Sequence, residues 1–248
     1  MTAFGESLKE RLGVKVVYYT KFTDYYSEDI DPWIFRRFPV LTFDIPMATT
    51  IEESELLNPD TDRKIVSALK SGNVMISGFF EDLRLLNPSS LRAIHPRPRW
   101  VTEALTGLYG DLSACASIHV RRGDFVGLGA SLGIGYYRKA MTYFPPETVF
   151  VIISDDLDWC RRNFEGCGRP VIYADRCKNR KQVLYLDLFL PSLCRAGNIL
   201  SGSSFSWWGA VLNDNRDALR VMPRPWWNDA DKHLYLEDTI IIETNQQR

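Results

Sequence analysis

The sequence lacks a long apolar run. None of its 248 residues belongs to an apolar stretch of about 18, the length that a membrane-spanning helix needs. Residues 1–12 mix both signs of charge and contain no apolar core, so no signal peptide is predicted. The five cysteines are odd in number and contain no Cys-x-x-Cys spacing, which argues against a disulfide framework. These absences favour a cytoplasmic or peripheral membrane protein.

An excess of charge of one sign is also missing. Lys and Arg number 30 and Asp and Glu 31, so the net charge is -1. Binding to a nucleic-acid backbone needs a concentrated basic field, and we therefore expect no nucleic-acid partner. The three histidines lie at no metal-ligand spacing, which makes a structural zinc site improbable.

The order of apolar runs and amphipathic stretches predicts an α/β fold. Strands are predicted at 14–19, 73–80, 114–120, 148–153, 171–174, 198–201, 220–222 and 239–242. Helices are predicted at 101–109, 136–144 and 181–195, the last bent by Pro191. Residues 96–98, Pro-Arg-Pro, are a linker candidate. The alternation from residue 114 onward predicts a doubly wound parallel sheet.

The most informative segment is residues 117–124, Ser-Ile-His-Val-Arg-Arg-Gly-Asp. Side chains alternate along a strand, so His119 and Arg121 share one face. The strand must end near Gly123, and ligands of doubly wound sheets bind beyond the carboxyl ends of strands. A guanidinium group can bind phosphate oxygens with two hydrogen bonds. Arg121 is thus a candidate phosphate ligand, and a solvated arginine at a strand end is the alternative.

A second segment, residues 201–210, follows a strand and opens a predicted helix. Ser203 or Ser204 could cap this helix, and free N–H groups at its start would favour an anion. Trp207 and Trp208 could form the wall of a pocket or simply pack in the core. The segment lacks the Gly-x-Ser-x-Gly pattern, so a serine-hydrolase elbow is poorly supported.

Two weaker signals lie nearby. Asp156 and Asp158 follow a strand and could hold a divalent ion, although acidic residues also begin helices routinely. Glycines 127, 129, 133 and 135 match neither the P-loop nor the dinucleotide fingerprint. They are interpreted as turns or as a mobile loop on the acceptor side.

Taken together, these motifs resemble the α-1,2-fucosyltransferase family, glycosyltransferase family 11. The resemblance rests on segments in the same order and spacing: His119–Asp124, Gly135–Ala140, Ser154–Asp156, Asp187–Leu190 and Ser203–Ala210. They cover roughly residues 115–215. The segment Ser77–Phe80 is similar to a weaker family signature in the first half.

The resemblance implies a GT-B fold, in which two Rossmann-like domains face each other across a cleft. Residues 1–110 would form the acceptor-side domain and residues 111–248 the GDP-fucose-binding domain. The implied reaction is inverting transfer of L-fucose from GDP-fucose to the 2-hydroxyl of a galactose-terminated oligosaccharide, with no metal or other cofactor.

The resemblance also implies roles for individual residues. Arg121 would hold the β-phosphate, and Asp187 would read the guanine edge with His119 nearby. Three residues would lie against the diphosphate or ribose: Ser203, Ser204 and Phe205. Three acidic positions would support the donor site: Asp124, Asp155 and Asp156.

The base that takes the acceptor proton stays open at this point. Asp124 is a candidate, but it could instead orient Arg121, and the leaving phosphate could itself take the proton. Two other hypotheses compete with the transferase. One is a catalytically silent GDP-sugar-binding remnant, and the other is a metal-dependent GT-A enzyme that uses Asp156 and Asp158.

The sequence departs from the family pattern at two places. Family members usually begin with a strand and a Gly-x-Gly-Asn-Gln loop, whereas Met1–Leu12 looks like the helix that follows this loop. The expectation is an incomplete N-terminal domain without that strand and loop. Pro191 is the second departure, because the family normally lacks proline there.

Overall fold

The fold is described by a computed structural model in two compact units, Met1–Pro96 and Arg97–Arg248. The structure describes residues 2–19, 40–41, 46–78, 82–87, 99–177, 180–213, 215–226, 234–236 and 238–244. This division places residues 97–110 in the second unit, whereas the sequence analysis places the domain boundary after residue 110. The acceptor-side and donor-side roles of the two halves stay predictions.

The described part of the first unit contains short parallel strand pairs and two α-helices. Its elements are α1 (Thr2–Leu12), β1 (Tyr18–Tyr19), β2 (Val40–Leu41), β3 (Met47–Glu52), α2 (Thr61–Ala68) and β4 (Asn73–Ser77). Strand β1 pairs with β2 and β3 pairs with β4, both in parallel. Phe4 and Leu8 lie one helical turn apart, and both pack with Ile51 and Ile65 in the core of this unit.

The sequence located these elements only in part. The predicted strand at 14–19 is reduced to Tyr18–Tyr19, and the one at 73–80 is observed as Asn73–Ser77. The predicted linker at 96–98 lies outside the described residues. Strand β3 and helix α2 were not predicted. Only one side chain of β3, that of Ile51, is buried, so the strand has no apolar run to reveal it.

The second unit confirms the predicted α/β fold with a parallel sheet. Its helices are α3 (Arg99–Tyr109), α4 (Gly123–Gly127), α5 (Ile134–Met141), α6 (Leu157–Phe164), α7 (Arg180–Leu193) and α8 (Ser204–Val211). Its strands are β5 (Cys115–Val120), β6 (Val149–Ser154), β7 (Val171–Tyr173), β8 (Gly197–Ile199), β9 (Leu219–Arg224) and β10 (Thr239–Glu243). Every predicted strand and helix of this unit is present, with ends that differ by a few residues.

The six strands are all parallel and follow the order β10-β9-β8-β5-β6-β7. The chain runs outward from β5 through β6 to β7 and then returns to β8 on the opposite side of β5. This is the doubly wound order in which ligands bind beyond the carboxyl ends of the two central strands. In this unit those ends belong to β5 and β8.

The two faces of the sheet differ in polarity. On one face, Ile118 aligns with Ile152 and Ile199, and all three are buried in the main apolar cluster with side chains of α5 and α6. On the other face, Ser117 aligns with Asn198. Helices therefore cover an apolar face and a face that carries buried polar groups, which must be hydrogen-bonded.

Two asparagines form the hydrogen bonds of the buried polar groups on this second face, beside Pro191. The Asn198 side-chain amide donates to Ser117 Oγ over 2.8 Å and to the Pro191 carbonyl over 2.9 Å. The Asn213 amide donates to Asn198 Oδ1 over 3.0 Å and to the Cys194 carbonyl over 3.1 Å. Pro191 lies inside α7, as expected. These contacts pair carbonyl groups at the end of a helix that a proline would otherwise weaken.

Helix α8 approaches α7 closely at Gly209. A Cβ atom at this position would lie 2.9 Å from Cγ of Pro191 and 3.6 Å from the Leu188 carbonyl oxygen. There is no room for a methyl group here, so the two helices can lie this close together only because residue 209 has no side chain.

We expect Gly209→Ala to lower the free energy of unfolding by about 1–3 kcal/mol, the usual cost of overpacking. The matched control is Gly107→Ala in α3, where an added Cβ meets nothing within 4 Å. The control should be neutral or stabilising by up to about 1 kcal/mol, because alanine favours helix. Denaturant titration of both variants checks this, and equal stability of the two would contradict the packing argument.

Candidate functional site

The carboxyl ends of β5 and β8 bring the two predicted segments together. His119, near the end of β5, shares a 2.8 Å hydrogen bond between its Nδ1 and Ser201 Oγ, which follows β8. Its ring also lies 5.1 Å from the ring of Phe205 in α8. These contacts span the central crevice of the sheet, where doubly wound folds bind ligands.

Arg121 is held by two carboxylates at the rim of this crevice. One guanidinium nitrogen lies 2.7 Å from Oδ1 of Asp124, and another lies 3.0 Å from Oδ2 of Asp155. The guanidinium carbon is 5.7 Å from the centre of the Phe125 ring. The side chain of Arg121 is 37% exposed, so it can reach a ligand while its position is fixed.

Asp155 links the turn after β5 to the end of β6. Its Oδ1 accepts a 2.8 Å hydrogen bond from the backbone N–H of Arg122, and its Oδ2 forms the ion pair with the guanidinium of Arg121. A Cβ at Gly123 would lie 2.7 Å from Oδ2 of Asp155. A side chain at position 123 would therefore have to displace this carboxylate oxygen from its place beside Arg121.

Asp156 and Arg122 form the neighbouring pair. Asp156 caps α6 by accepting from the Trp159 backbone N–H over 2.9 Å, and its other oxygen lies 3.2 Å from Nε of Arg122. The Arg122 guanidinium also donates to Ser131 Oγ and lies over the Trp159 ring, 4.3 Å from its centre. Both side chains are engaged in fixing the local structure. A donor-binding role for Asp156 stays a prediction.

His119 is uncharged at neutral pH. Burial, together with the nearby Arg121 guanidinium, lowers the pKa of its imidazole to about 3. A neutral ring can share the hydrogen bond with Ser201 and pack against Phe205. Of the two residues on this face of the strand, Arg121 therefore carries the positive charge and His119 carries none.

The start of α8 differs in one respect from the prediction. Ser203 occupies the N-cap position with extended backbone, but its side chain forms no capping hydrogen bond. Ser206 instead accepts from the Ser201 backbone N–H over 3.0 Å. Among the described residues no side chain caps the first N–H groups of α8, so they remain available to an anion. Ser204 and Phe205 stand in this first turn.

The two tryptophans of α8 belong mainly to the packing. Trp207 is completely buried and donates from Nε1 to the Leu234 carbonyl over 2.7 Å. Trp208 packs edge-on against it with ring centres 4.8 Å apart. The core interpretation of Trp207 is thus confirmed.

Asp187 lies apart from this cluster, in the middle of α7. Burial raises the pKa of its carboxyl to about 7. It lies close enough to Tyr109 to influence that phenol electrostatically. No described residue forms a hydrogen bond or ion pair with its carboxylate, and no described contact links it to Arg121.

The acidic residues at α6 are already paired with cations. Asp156 contacts Arg122, and Asp158 lies 3.4 Å from Arg161. Within the described ranges, no group of three His, Cys, Asp or Glu side chains could hold a metal ion. Whether the reaction needs a metal stays a prediction.

The glycines after residue 126 form turns and helix ends rather than a phosphate loop. Gly127 ends α4 and Gly129 adopts a positive φ of 68° just after it. Gly133 precedes α5, and Gly135 lies inside it.

Sequence reasoning missed two residues that shape the site. Ser201 was included in a motif but not recognised as the partner of His119. Tyr136 donates from its buried hydroxyl to the Leu200 carbonyl over 2.6 Å and thereby holds the chain that leaves β8. A buried tyrosine usually pairs its hydroxyl, but the sequence does not say with which carbonyl.

Comparison with known proteins identifies the family. The sequence model of Glycosyl transferase family 11 matches residues 101–243, which is more than half of the chain. The chain belongs to glycosyl transferase family 11. Its membership, inferred above from the motifs, is thereby confirmed, and the family match includes the whole Arg121 cluster and α8.

Individual family members are similar over different lengths. The Escherichia coli O-antigen biosynthesis glycosyltransferase WbnK is 31% identical over 194 residues, 70% of this chain and 61% of its own length. An Escherichia coli alpha-1,2-colitosyltransferase is 30% identical over 188 residues, covering 70% and 62%. The Bos taurus galactoside 2-alpha-L-fucosyltransferase SEC1 is 31% identical over 109 residues, covering 40% and 29%. This family 11 chain spans about three fifths of the two bacterial relatives.

No described helix is long and apolar enough to cross a membrane.

We expect Asp187→Asn to stabilise the fold at pH 8 but not at pH 4. The folded carboxyl ionises near pH 7 instead of its ordinary 3.8. Its contribution to stability is therefore fully present below pH 3.8 and is lost as the pH rises to 7. Asparagine carries no charge and avoids this loss. The rise in pKa from 3.8 to about 7 sets an upper bound of about 4 kcal/mol on the gain at pH 8, and each 1 kcal/mol of it would raise the melting temperature by about 2–4 °C.

Melting temperatures at the two pH values test this expectation. Asp158→Asn is the matched control, because that carboxylate is 82% exposed and should change stability by less than about 0.5 kcal/mol at either pH. An Asp187→Asn effect of the same size at pH 4 and pH 8 would contradict it.

Proposed function

We propose that this chain transfers L-fucose from GDP-fucose to the 2-hydroxyl of a terminal galactose, with inversion and without a metal. The proposal includes a GT-B arrangement in which the second unit binds the donor. The observation that carries it is the hydrogen bond between His119 and Ser201, which joins the end of β5, where Arg121 follows, to the segment that leads into the uncapped start of α8. Membership of family 11 supports a glycosyl transfer.

The chemistry of the donor explains why these groups are needed. Cleavage of the bond between fucose and the β-phosphate leaves the electron pair, and thus additional negative charge, on the phosphate. The guanidinium of Arg121 is suited to bind it through two hydrogen bonds. The N–H groups of Ser204 and Phe205 at the start of α8 would add stabilisation from the helix dipole.

We propose that Asp187 recognises the guanine base of the nucleotide. A carboxylate can accept two hydrogen bonds from the N1–H and the amino group of guanine, whereas adenine offers a different pattern. A carboxyl with a raised pKa and no described partner supports this role, since buried polar groups without partners are rare outside functional sites. Because the ionised form accepts both bonds, GDP should bind more tightly above pH 7 than below it.

The acceptor hydroxyl must lose a proton as its oxygen attacks the anomeric carbon. We assign this proton to Asp124, whose carboxylate is 48% exposed beside Arg121. The new carbon–oxygen bond forms as the bond to the phosphate breaks, and GDP leaves with the electron pair. His119 is uncharged and contributes position rather than charge.

Calorimetry with GDP and mass-spectrometric detection of fucosyl transfer to lactose test the function together. The donor panel should include the corresponding colitose nucleotide, because one relative is named a colitosyltransferase. Turnover with GDP-fucose supports the proposal. Binding of GDP without turnover of any donor would instead support a silent GDP-sugar-binding protein. Activity lost in EDTA and restored by a divalent ion would favour the metal-dependent alternative.

We expect Arg121→Ala to weaken GDP binding by about 10- to 100-fold, the value of a charge-assisted hydrogen bond or two, and to abolish transfer. Arg99→Ala is the control, because Arg99 is 92% exposed and its one ion-pair partner in the described part of the chain is Glu103 on its own helix. Circular dichroism of both variants establishes that they fold. Turnover of Arg121→Ala near the parent rate would refute the role of this arginine.

We expect Asp124→Asn to lower kcat by about 10²–10⁴-fold, the usual contribution of a general base. Asp158→Asn serves as the control carboxylate. Transfer rates measured with saturating GDP-fucose check this expectation. A fall of less than about tenfold would show that the leaving phosphate takes the proton.

A further inference from the structure

Arg121 carries more negative charge around it than it can neutralise. Asp124 and Asp155 both contact its guanidinium, at 2.7 and 3.0 Å. Two carboxylates on one cation leave a net negative contact. A diphosphate would be repelled by this arrangement unless one of the carboxylates moved away.

Asp155 is anchored and cannot easily yield its place. Both of its oxygens are used, one by the Arg122 backbone N–H at 2.8 Å and one by Arg121. The backbone contact does not depend on whether a ligand is present. Oδ2 also fills the space that a side chain at Gly123 would occupy.

Asp124 has none of these constraints. Its carboxylate is 48% exposed, against 27% for Asp155. Only Oδ1 is engaged, and its one partner among the described residues is Arg121. Such an exposed ion pair contributes little to stability, so an anionic ligand can replace it.

We infer that Arg121 exchanges partners, with Asp155 as its permanent positioning residue and Asp124 as a partner that the donor diphosphate displaces. This inference rests on the proposed function and deepens it. Without donor, Asp124 is held against Arg121. Once the phosphate takes its place, the Asp124 carboxylate is free to accept the proton of the acceptor hydroxyl.

Two substitutions distinguish the role of Asp124 from that of Asp155, because they should change GDP affinity in opposite directions. Asp124→Asn removes the competing charge and should tighten GDP binding by about two- to fivefold, the equivalent of an exposed ion pair. Gly123→Ala changes no charge but intrudes on Asp155 Oδ2, and it should weaken GDP binding on the order of tenfold by misplacing Arg121. Gly127→Ala in the same short helix meets nothing within 4 Å and should leave binding unchanged.

Calorimetric titration of GDP into the unaltered chain and the three variants decides the matter. Weaker binding by Asp124→Asn would show a merely structural role for that residue. Unchanged binding by Gly123→Ala would remove Asp155 as the positioning residue, and either result would overturn the exchange while leaving the proposed function standing. Failure of both the unaltered chain and Asp124→Asn to bind GDP would overturn the proposed function itself, and the exchange with it.

Discussion

A single carboxylate joins the ends of two neighbouring strands in the second unit. Asp155 follows β6, yet it receives the backbone N–H of Arg122 and the guanidinium of Arg121, which both follow β5. The turn after β5 and its functional side chain are therefore set by the same residue. Because Gly123 has no side chain, the carboxylate can come this close. The charged half of the candidate site depends on this contact.

The opposite half of the site is built from neutral groups. His119, Ser201 and Phe205 join β5 to the start of α8 through a hydrogen bond and a ring contact. Burial keeps the imidazole uncharged, so these residues fix the crevice without adding charge to it. Charge is thereby concentrated on the guanidinium side, while the α8 side offers backbone N–H groups. An electrostatic site gains most when its dipoles are fixed in advance.

The sequence predicts the second unit better than the first, for a physical reason. Strands such as β6 are buried on both faces and read as continuous apolar runs, whereas β3 buries a single side chain. Arg121 and the start of α8 could be found because strand ends and helix starts leave a local signature. Asp155 and Ser201 could not be recognised as the partners of Arg121 and His119, because 33 or more positions separate them in the chain. Such contacts are decided by tertiary packing.

The buried amide network beneath α7 has an evolutionary consequence. The Asn213 amide donates hydrogen bonds to Asn198 and to the Cys194 carbonyl, and the Asn198 amide donates to the Pro191 carbonyl. An apolar residue at either asparagine position would leave buried polar atoms without hydrogen bonds, and each such atom would lower the free energy of unfolding by about 1–3 kcal/mol. Positions 198 and 213 are therefore free to change only together, because the two asparagine side chains are hydrogen-bonded to each other.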